Sequence, residues 1–215
     1  LQGRVSVING ATLTIEAGTI VKALAGTGSN ASCIIISRGS MINAQGTAEQ
    51  PIVFTSVADD IEIGQLFGTS LNENVNGLWG GLIVLGDAPI SASGNMLSVQ
   101  IEGIPASDPS GLYGGDNPND NSGVLSYISI RHGGANIGEG NEINGLTLGG
   151  VGSSTVINNI EIVANQDDGI EWFGGNVNCS NLLVWGTGDD CIDIDQAYGG
   201  NIDMVLIIPT TNTTS

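Results

Sequence analysis

The segment that decides the fold is Asn165–Gly175, N-Q-D-D-G-I-E-W-F-G-G, followed at Thr187–Gly200 by T-G-D-D-C-I-D-I-D-Q-A-Y-G-G. Each segment contains two adjacent aspartates, an alternating apolar run and a Gly-Gly pair. The two aspartate pairs are 22 residues apart, and the same offset places Trp172 over Ile194. Self-similarity at a fixed interval of this size is the sequence signature of a repeat architecture.

The repeat continues in both directions from this pair of segments. Downstream, a third copy begins at Asn201. Upstream, Tyr127–Ile130 matches Asn159–Ile162 at an offset of 32, and Gly145–Leu148 matches Gly169–Trp172 at an offset of 24. The difference between these offsets indicates a polar insertion of eight residues in one copy.

The composition indicates short strands and tight turns. The 215 residues include 34 glycines, 27 isoleucines and 21 asparagines. Ile favours strands, whereas Gly and Asn favour tight turns and left-handed backbone. No stretch of ten or more residues has the apolar spacing of an amphipathic helix. We therefore predict an all-β right-handed parallel β-helix (β-solenoid), with rungs of about 22 residues stacked about 4.8 Å apart.

Two long segments interrupt this pattern, Asp59–Gly77 and Ala106–Gly123, both rich in Gly, Asn, Asp and Ser. Loops of this length inside a compact domain are usually functional or mobile, and we expect both to project from one face of the coil. Residues 1–215 are predicted to form a single β-helix domain, an excerpt or processed part of a longer chain. No amphipathic capping helix is predicted at either end, so we expect self-association end to end or pairing with neighbouring domains of the same chain.

The charge of the chain restricts its partners. Four basic residues face 22 acidic ones, which gives a formal net charge of −18. Because such a surface repels phosphate groups, we predict no nucleic-acid binding, and cations are the natural partners. The longest apolar runs are far shorter than the roughly 20 residues of a membrane-spanning helix, so no membrane insertion is expected. Three cysteines allow either one disulfide with a free thiol or three small buried hydrophobic side chains.

Acidic side chains repeat with the rungs, which places carboxylates on adjacent turns. Like charges about 5 Å apart repel by about 3 kcal/mol at an effective dielectric constant of 20, so something must offset the repulsion. One solution is a bound calcium ion, which takes carboxylate and carbonyl oxygens. The other is that each aspartate caps its turn by accepting backbone N–H bonds. The candidate calcium ligands are Asp167, Asp168, Asp189, Asp190, Asp193 and Asp195.

A second, weaker calcium candidate is the loop Asp116–Gly123, which carries oxygens at alternate positions, including Asp116 and Asp120. An EF-hand loop ends in a bidentate Glu at its twelfth position. Here that position is Tyr127. A solvated Asn/Asp loop is the alternative interpretation.

No catalytic residue can be assigned. The segment Gly188–Cys191, G-D-D-C, is similar to the D-D-C segment of polygalacturonase-type glycoside hydrolases, which are also β-helices and which supply G-H-G and R-I-K from other turns. Here the 25 residues after Asp190 contain no His, Lys or Arg, and the single histidine, His132, lies 58 residues upstream. The sequence is therefore more consistent with a protein that is not an enzyme.

Three other side chains are candidates for contact with a ligand. Arg131 and His132 stand in R-H-G-G, where we expect Arg131 to end a strand and to hold the next loop through Glu139 or Glu142. Aromatic rings stack on sugars when they are exposed, and Trp172 is the candidate among Trp79, Tyr113, Trp172, Trp185 and Tyr198.

Four further motifs carry a resemblance to a known family: G-A-T-L-T-I-E-A-G-T (10–19), G-T-A-E-Q-P-I-V-F-T-S (46–56), G-L-W-G-G-L-I-V-L-G (77–86) and S-I-R-H-G-G-A-N-I-G-E-G-N-E-I-N-G-L-T-L-G-G (129–150). With these motifs the chain resembles a family of secreted, mostly uncharacterised β-helix proteins, many of them from Bacteroidota and related environmental bacteria. The resemblance covers nearly the whole chain. It implies an extracellular or surface-attached right-handed parallel β-helix, and it offers no catalytic residues.

The residues and the resemblance together predict an extracellular structural or adhesive module at the cell surface or in a filament or matrix, with calcium stabilising its acidic turns. The alternative is a carbohydrate-active enzyme or a polysaccharide-binding module on a pectate-lyase-like fold.

Overall fold

The computed structural model describes residues 1–137 and 143–210, so that Glu139 and Glu142 lie outside the described residues. The described part contains sixteen β-strands and three 3-10 helices, Gly28–Asn30, Ser93–Asn95 and Pro109–Gly111. The strands are β1 (Arg4–Val7), β2 (Thr12–Ile15), β3 (Ile20–Ala23), β4 (Cys33–Ile36), β5 (Met41–Gln45), β6 (Ile52–Ser56), β7 (Leu82–Leu85), β8 (Val99–Gln100), β9 (Leu112–Tyr113), β10 (Gly123–Arg131), β11 (Leu146–Gly149), β12 (Val156–Val163), β13 (Ile170–Phe173), β14 (Cys179–Trp185), β15 (Ile192–Asp195) and β16 (Ile202–Ile208). No helix in these two ranges is long and apolar enough to cross a membrane.

The strands form two large parallel sheets, as a β-helix requires. Sheet A has the order β1-β4-β7-β11-β13-β15. Sheet B has the order β2-β5-β10-β12-β14-β16, and β6 adds to it by pairing with both β3 and β10. Successive neighbours within each sheet come from successive passes of the chain, so each pass contributes strands to both sheets. The predicted parallel β-helix is confirmed.

The predicted register is also confirmed at the level of single residues. Ile170 pairs with Ile192 and Trp172 with Ile194, both at the offset of 22. Ile128 pairs with Ile160 at the offset of 32. Equivalent positions therefore resemble one another because they stack directly in neighbouring rungs.

Each long strand of sheet B bends at one residue with left-handed backbone. Tyr127, Asn159, Asn181 and Met204 have φ between 52° and 57° and occupy equivalent positions in successive rungs. The usual alternation of sides breaks there. Leu125 and Ile128 stand on either side of Tyr127, three residues apart, and both point into the core. Asn occupies two of the four positions because its short polar side chain tolerates this backbone conformation.

The interior of the coil is a stack of aliphatic side chains with Trp79 and Trp172 among them, both 1% exposed or less. A second apolar cluster lies on the opposite, outer face of sheet A. There Cys33, Ile35 and Ile83 pack against Ile101 and other side chains of the connection between β7 and β10. That connection contains the antiparallel β8–β9 pair, which the sequence pattern did not predict.

The first long loop lies where it was predicted, whereas the predicted loop Ala106–Gly123 is the second half of a longer connection that begins at residue 86. The expectation that both loops share one face is wrong. The 86–122 connection folds over sheet A, where Tyr113 is 2% exposed and meets the ring of Phe173 edge-on at 6.1 Å. The 57–77 loop instead lies beside the outer face of sheet B, where Leu66 and Phe67 face Trp185. Each loop follows the sheet whose outward side chains it can pack against.

The cysteines resolve the two alternatives left by the sequence. None of the three forms a disulfide in the described structure, and Cys33 and Cys179 are buried. Burial raises the pKa of each of these two thiols to about 12, which makes them unreactive. They act as small hydrophobic side chains, and Cys191 is half-buried.

Candidate functional site

The repeat brings three polar side chains to equivalent places at the start of sheet A. Asn144, Asp168 and Asp190 each lie two residues before a strand of that sheet, in three successive rungs. Backbone bonds join these turns: Gly145 N–H donates to the Asp168 carbonyl at 3.0 Å, and Gly169 N–H to the Asp190 carbonyl at 2.9 Å. A side chain at Gly169 would collide with Val184. Glycine after the polar residue therefore lets the turns stack closely.

Carboxylates meet in two overlapping groups on these turns. Asp167, Asp168 and Asp189 form one group, and Asp168, Glu171 and Asp193 form the other. Within each group, one oxygen from every carboxylate lies within 4.8 Å of those from the other two. We refer to these five residues as the acidic cluster. Asp168 belongs to both groups, so the cluster is continuous across two rungs.

Burial and mutual repulsion make the charged form of two cluster residues unfavourable. Glu171 is 7% exposed, and burial, followed by the nearby Glu102 and the charges of Asp168 and Asp193, raises its pKa to about 9. Burial also raises the pKa of Asp168 to about 7, with Asp167 as the next largest cause. At neutral pH the cluster therefore favours either a proton or a cation.

Hydrogen bonds satisfy only part of the cluster. Asp168 Oδ1 accepts the Asp190 backbone N–H at 2.9 Å, which is the turn-capping role expected of such an aspartate. Glu171 Oε2 accepts Asn144 Nδ2 at 2.6 Å. The Oδ1 atom of that same Asn144 amide is buried and accepts no hydrogen bond from any described residue. A buried amide oxygen without a partner is unusual, because such groups nearly always have one.

No basic side chain compensates the acidic cluster. All four Lys and Arg residues of the chain are engaged at other places. Lys22 donates to the Asp59 carbonyl at 2.7 Å, Arg38 pairs with Asp87 at 3.5 Å, and Arg131 pairs with Glu161 at 3.0 Å. The charge of Arg4 favours the ionised forms of Cys33 and of Asp108. The repulsion among the carboxylates is therefore left to protons, hydrogen bonds or an added cation.

The dimensions of the Asp168–Glu171–Asp193 group fit calcium. Ca–O bonds are about 2.3–2.6 Å, so two ligands on opposite sides of the ion are about 4.6–5.2 Å apart. Oxygens that all lie within 4.8 Å of one another satisfy this limit. Carboxylate and amide oxygens are the ligands that calcium prefers. The residues able to hold it are Asp168, Glu171 and Asp193.

The sequence identified only part of this cluster. Asp167, Asp168, Asp189 and Asp193 were predicted and do come together. Asp190 and Asp195 are exposed and belong to neither group, so their prediction as ligands of this cluster is not supported. Glu171 was missed, although the offset of 22 that pairs Trp172 with Ile194 also pairs Glu171 with Asp193.

The structure gives the Asp116–Gly123 loop a different organisation from a calcium loop. Asp116 is exposed, whereas Asp120 is 5% exposed and points inward. Asp120 Oδ2 accepts the Ser122 hydroxyl at 3.1 Å and the Gly152 N–H at 3.2 Å. Among the described residues, neither aspartate belongs to a group of three acidic side chains. Asp120 instead fastens this loop to the coil.

Arg131 and His132 lie at the end of β10 and line a groove on sheet B. Arg131 pairs with Glu161 of the next rung, and Ser129 also donates to that carboxylate. His132 is 5% exposed, and its Nδ1 lies 2.6 Å from the Val75 carbonyl in the 57–77 loop. The expected partners Glu139 and Glu142 lie outside the described residues, so that their contact with Arg131 stays a prediction.

The expectation that Trp172 contacts a ligand is wrong, because Trp172 is fully buried in the core against Tyr198, with ring centroids 5.6 Å apart. Its position between Glu171 and Phe173 in an alternating strand points it inward. The exposed tryptophan is Trp185, which lines the same groove as Arg131.

Comparison with known proteins agrees with this architecture. A family model described as a pectate-lyase-like β-helix domain matches residues 1–215, the full length of the chain. Searches among curated proteins and among solved structures gave no match. The predicted resemblance is therefore confirmed for the fold family.

Proposed function

The chain belongs to the family of pectate-lyase-like β-helix domains, and from that premise we propose that it is a calcium-stabilised structural or adhesive module that works outside the cell. The proposal depends on one observation. Carboxylates on stacked turns converge, and no basic side chain of the described structure lies among them.

A bound calcium ion would remove the main electrostatic cost of this arrangement. It would replace repulsion among Asp168, Glu171 and Asp193 with attraction to a common centre. Because the ligands come from successive rungs, the ion would join those rungs across sheet A. This is a structural role, in which the metal adds to stability and takes no part in a reaction.

The chemistry of the site favours a location outside the cell. Extracellular calcium modules bind the ion with Kd values of about 10⁻⁴–10⁻³ M, which suits a site made from a few side chains of a rigid coil. The formal net charge of −18 would also keep an adhesive β-protein soluble and attract cations.

The β16 edge of the described residues can accept a further rung. β16 is the last strand of sheet B, and its outer edge pairs with no described strand. Met204 is 71% exposed and Leu206 59% exposed, an unusual state for apolar residues of a regular strand. A further rung, from a neighbouring domain or a second copy, would cover this edge.

Thermal unfolding in calcium and in chelator tests the proposal. With 10 mM CaCl2 and Kd values in the extracellular range, we expect Tm to rise by about 3–10 °C over the value in EDTA. Glu171→Gln should lose most of this rise. In EDTA the same variant should have a higher Tm than the wild type, because it removes a buried carboxylate that lies among other carboxylates.

Asp203→Asn is the matched control, since it removes one negative charge from an exposed position on β16. It should respond to calcium as the wild type does. The proposal fails if calcium leaves the wild-type Tm unchanged, or if Glu171→Gln retains the full response.

A further inference from the structure

A groove of about 400 Å³ lies on the outer face of sheet B, and none of the residues that line it belongs to the acidic cluster. One wall is the 57–77 loop, with Leu66 and Phe67, and its floor is formed by β10, β12 and β14, with Arg131, Glu161 and Trp185. We propose that this groove binds an uncharged polysaccharide strand. The inference goes beyond the calcium-stabilised module and does not depend on it.

A neighbouring depression extends the groove, which suits a linear polymer. This second depression of about 220 Å³ shares Leu66, Arg131 and Glu161 with the groove, while Tyr127 lines its far side. Ligand pockets commonly have volumes of about 300–1,000 Å³, so the two sections together accommodate several sugar units. Strands of successive rungs cross beneath both sections, so the floor is made of regular structure.

Exposed aromatic rings line both sections. Phe67 is 72% exposed, and Trp185 and Tyr127 are each 37% exposed. By contrast, Trp79, Tyr113 and Trp172 are buried, so most large aromatic side chains of this chain are in the core. Rings of this kind offer a flat apolar surface at little cost in conformational entropy. The C–H faces of sugar rings are the polymer surface that matches them.

Polar groups for sugar hydroxyls stand between the rings. Arg131 Nε donates to Ser129 Oγ at 2.6 Å and its Nη2 to Glu161 Oε2 at 3.0 Å. The Arg131 side chain is 13% exposed, and its Nη1 donates to no described residue. Glu161 retains acceptor capacity because its side chain is 33% exposed. Arg131 as donor and Glu161 as acceptor can together bind a sugar hydroxyl group, which both donates and accepts hydrogen bonds.

The wall of the groove is held in place before any ligand binds. At one end of the 57–77 loop, Thr55 Oγ1 donates to Asp59 Oδ2 at 2.8 Å. At the other end, the His132 ring bonds to the Val75 carbonyl, and Leu78 N–H donates to the His132 carbonyl at 3.0 Å. A wall fixed in this way lowers the entropy lost on binding. His132 is therefore a positioning residue.

Charge selects the class of polymer. Asp59, Glu73 and Glu161 place three carboxylates in the groove against the single guanidinium of Arg131. Burial lowers the pKa of His132, so the imidazole adds no charge at neutral pH. A polyuronate would meet this excess of negative charge and the net charge of the whole chain. An uncharged polymer avoids the repulsion and uses the rings and the hydroxyl-binding pair.

Titration of the whole chain with defined oligosaccharides tests the inference. The probes are hexasaccharides of uncharged sugars (cellohexaose, xylohexaose, mannohexaose and laminarihexaose), with hexagalacturonate as the anionic comparison. Trp185 reports binding directly, because the other two tryptophans are buried. We expect at least one uncharged hexasaccharide to shift the Trp185 indole N–H resonance and to shield Trp185 from acrylamide, in calcium and in EDTA alike.

Variants locate the binding. Phe67→Ala and Trp185→Ala should each weaken binding roughly tenfold or more, whereas Trp185→Phe should keep most of it. Leu97→Ala, 69% exposed on the other long connection, is the control matched to Phe67 and should bind as the wild type.

Three results would overturn the inference. The first is that no uncharged hexasaccharide binds at millimolar concentration. The second is that binding is unaffected in both alanine variants. The third is that hexagalacturonate or a lysine-rich peptide occupies the groove while the uncharged sugars do not. The oligosaccharide titrations do not require bound calcium, and the calcium proposal is tested by Tm alone. Either proposal can therefore fail while the other stands.

Discussion

At Glu171 a single side chain links the stability of the coil to pH. The residue stands between Ile170 and Trp172, which point into the core, so its carboxylate must lie on the outer face of sheet A. There it is buried and surrounded by Asp168, Asp193 and Glu102. An isolated ionised carboxylate would be costly in this setting, and a proton or a cation reduces the cost.

Stability should therefore fall as pH rises when no calcium is present. The pKa of Glu171 is raised from 4.5 to about 9 and that of Asp168 from 3.8 to about 7. Between the unfolded and folded pKa values, the folded chain holds a proton that the unfolded chain has released, so stability decreases with pH. We expect Tm in EDTA to decrease from pH 5 to pH 9.

Glu171→Gln should flatten this curve from pH 7 to 9 and reduce its slope from pH 5 to 7, where Asp168 still contributes. Scanning calorimetry at pH 5, 7 and 9 provides the measurement, with Asp203→Asn as the control. A wild-type Tm that increases over this range in EDTA would contradict the assignment.

At the scale of elements, strands and long loops have different physical origins. The strands follow from a local pattern of apolar side chains that repeats with each rung, and left-handed residues such as Asn159 and Asn181 set the bends. The long connections follow from packing between distant parts of the chain. The 86–122 connection covers the outer face of sheet A and so closes a second apolar cluster.

Tyr113→Ala tests whether this connection is part of the folded core. The ring is 2% exposed and packs against Phe173, so its loss leaves a cavity beneath the connection. Removing a buried aromatic side chain commonly costs about 3–5 kcal/mol, and we expect about 3 kcal/mol here. Urea unfolding followed by circular dichroism measures the change.

Leu97→Ala, in the same connection but 69% exposed, should change the free energy of unfolding by less than about 0.5 kcal/mol. Equal effects of the two substitutions would show that the connection does not pack as a core element.

At the scale of the whole molecule, a stack of rungs exposes strand edges wherever no further rung follows. The described structure presents one of them at β16, where Val205 is 38% exposed and Ile207 45% exposed. Their partners in β14, Leu182 and Val184, are buried because a further rung covers them. Val205 and Ile207 thus occupy core positions of a rung whose next neighbour is missing from the described residues.

We expect residues 1–215, produced as a separate protein, to self-associate through β16 as its concentration rises. Because one edge would meet a different edge of the next copy, the association would be heterologous and would form chains of copies. Val205→Lys/Ile207→Lys should suppress it, since lysines on an edge oppose strand addition. Light scattering over a range of concentrations measures the mass.

Leu97→Lys places a lysine at a remote exposed site and should associate as the wild type does. A monomer at every concentration, or unchanged association of the double variant, would contradict edge-to-edge pairing.

The sequence by itself determined the parallel coil, its register and the stacking of Asp168 over Asp190, because these depend on a period that can be read along the chain. The tertiary structure decided which carboxylates converge. It placed Glu171 at the centre of the acidic cluster and left Asp195 outside it.

Only the tertiary structure could also reveal the groove on sheet B, where Phe67, Arg131 and Trp185 meet although they are more than fifty residues apart along the chain. A repeat fixes the contacts between neighbouring rungs. It does not fix where a long loop outside the repeat will dock, since that depends on side-chain packing and hydrogen bonds between distant segments.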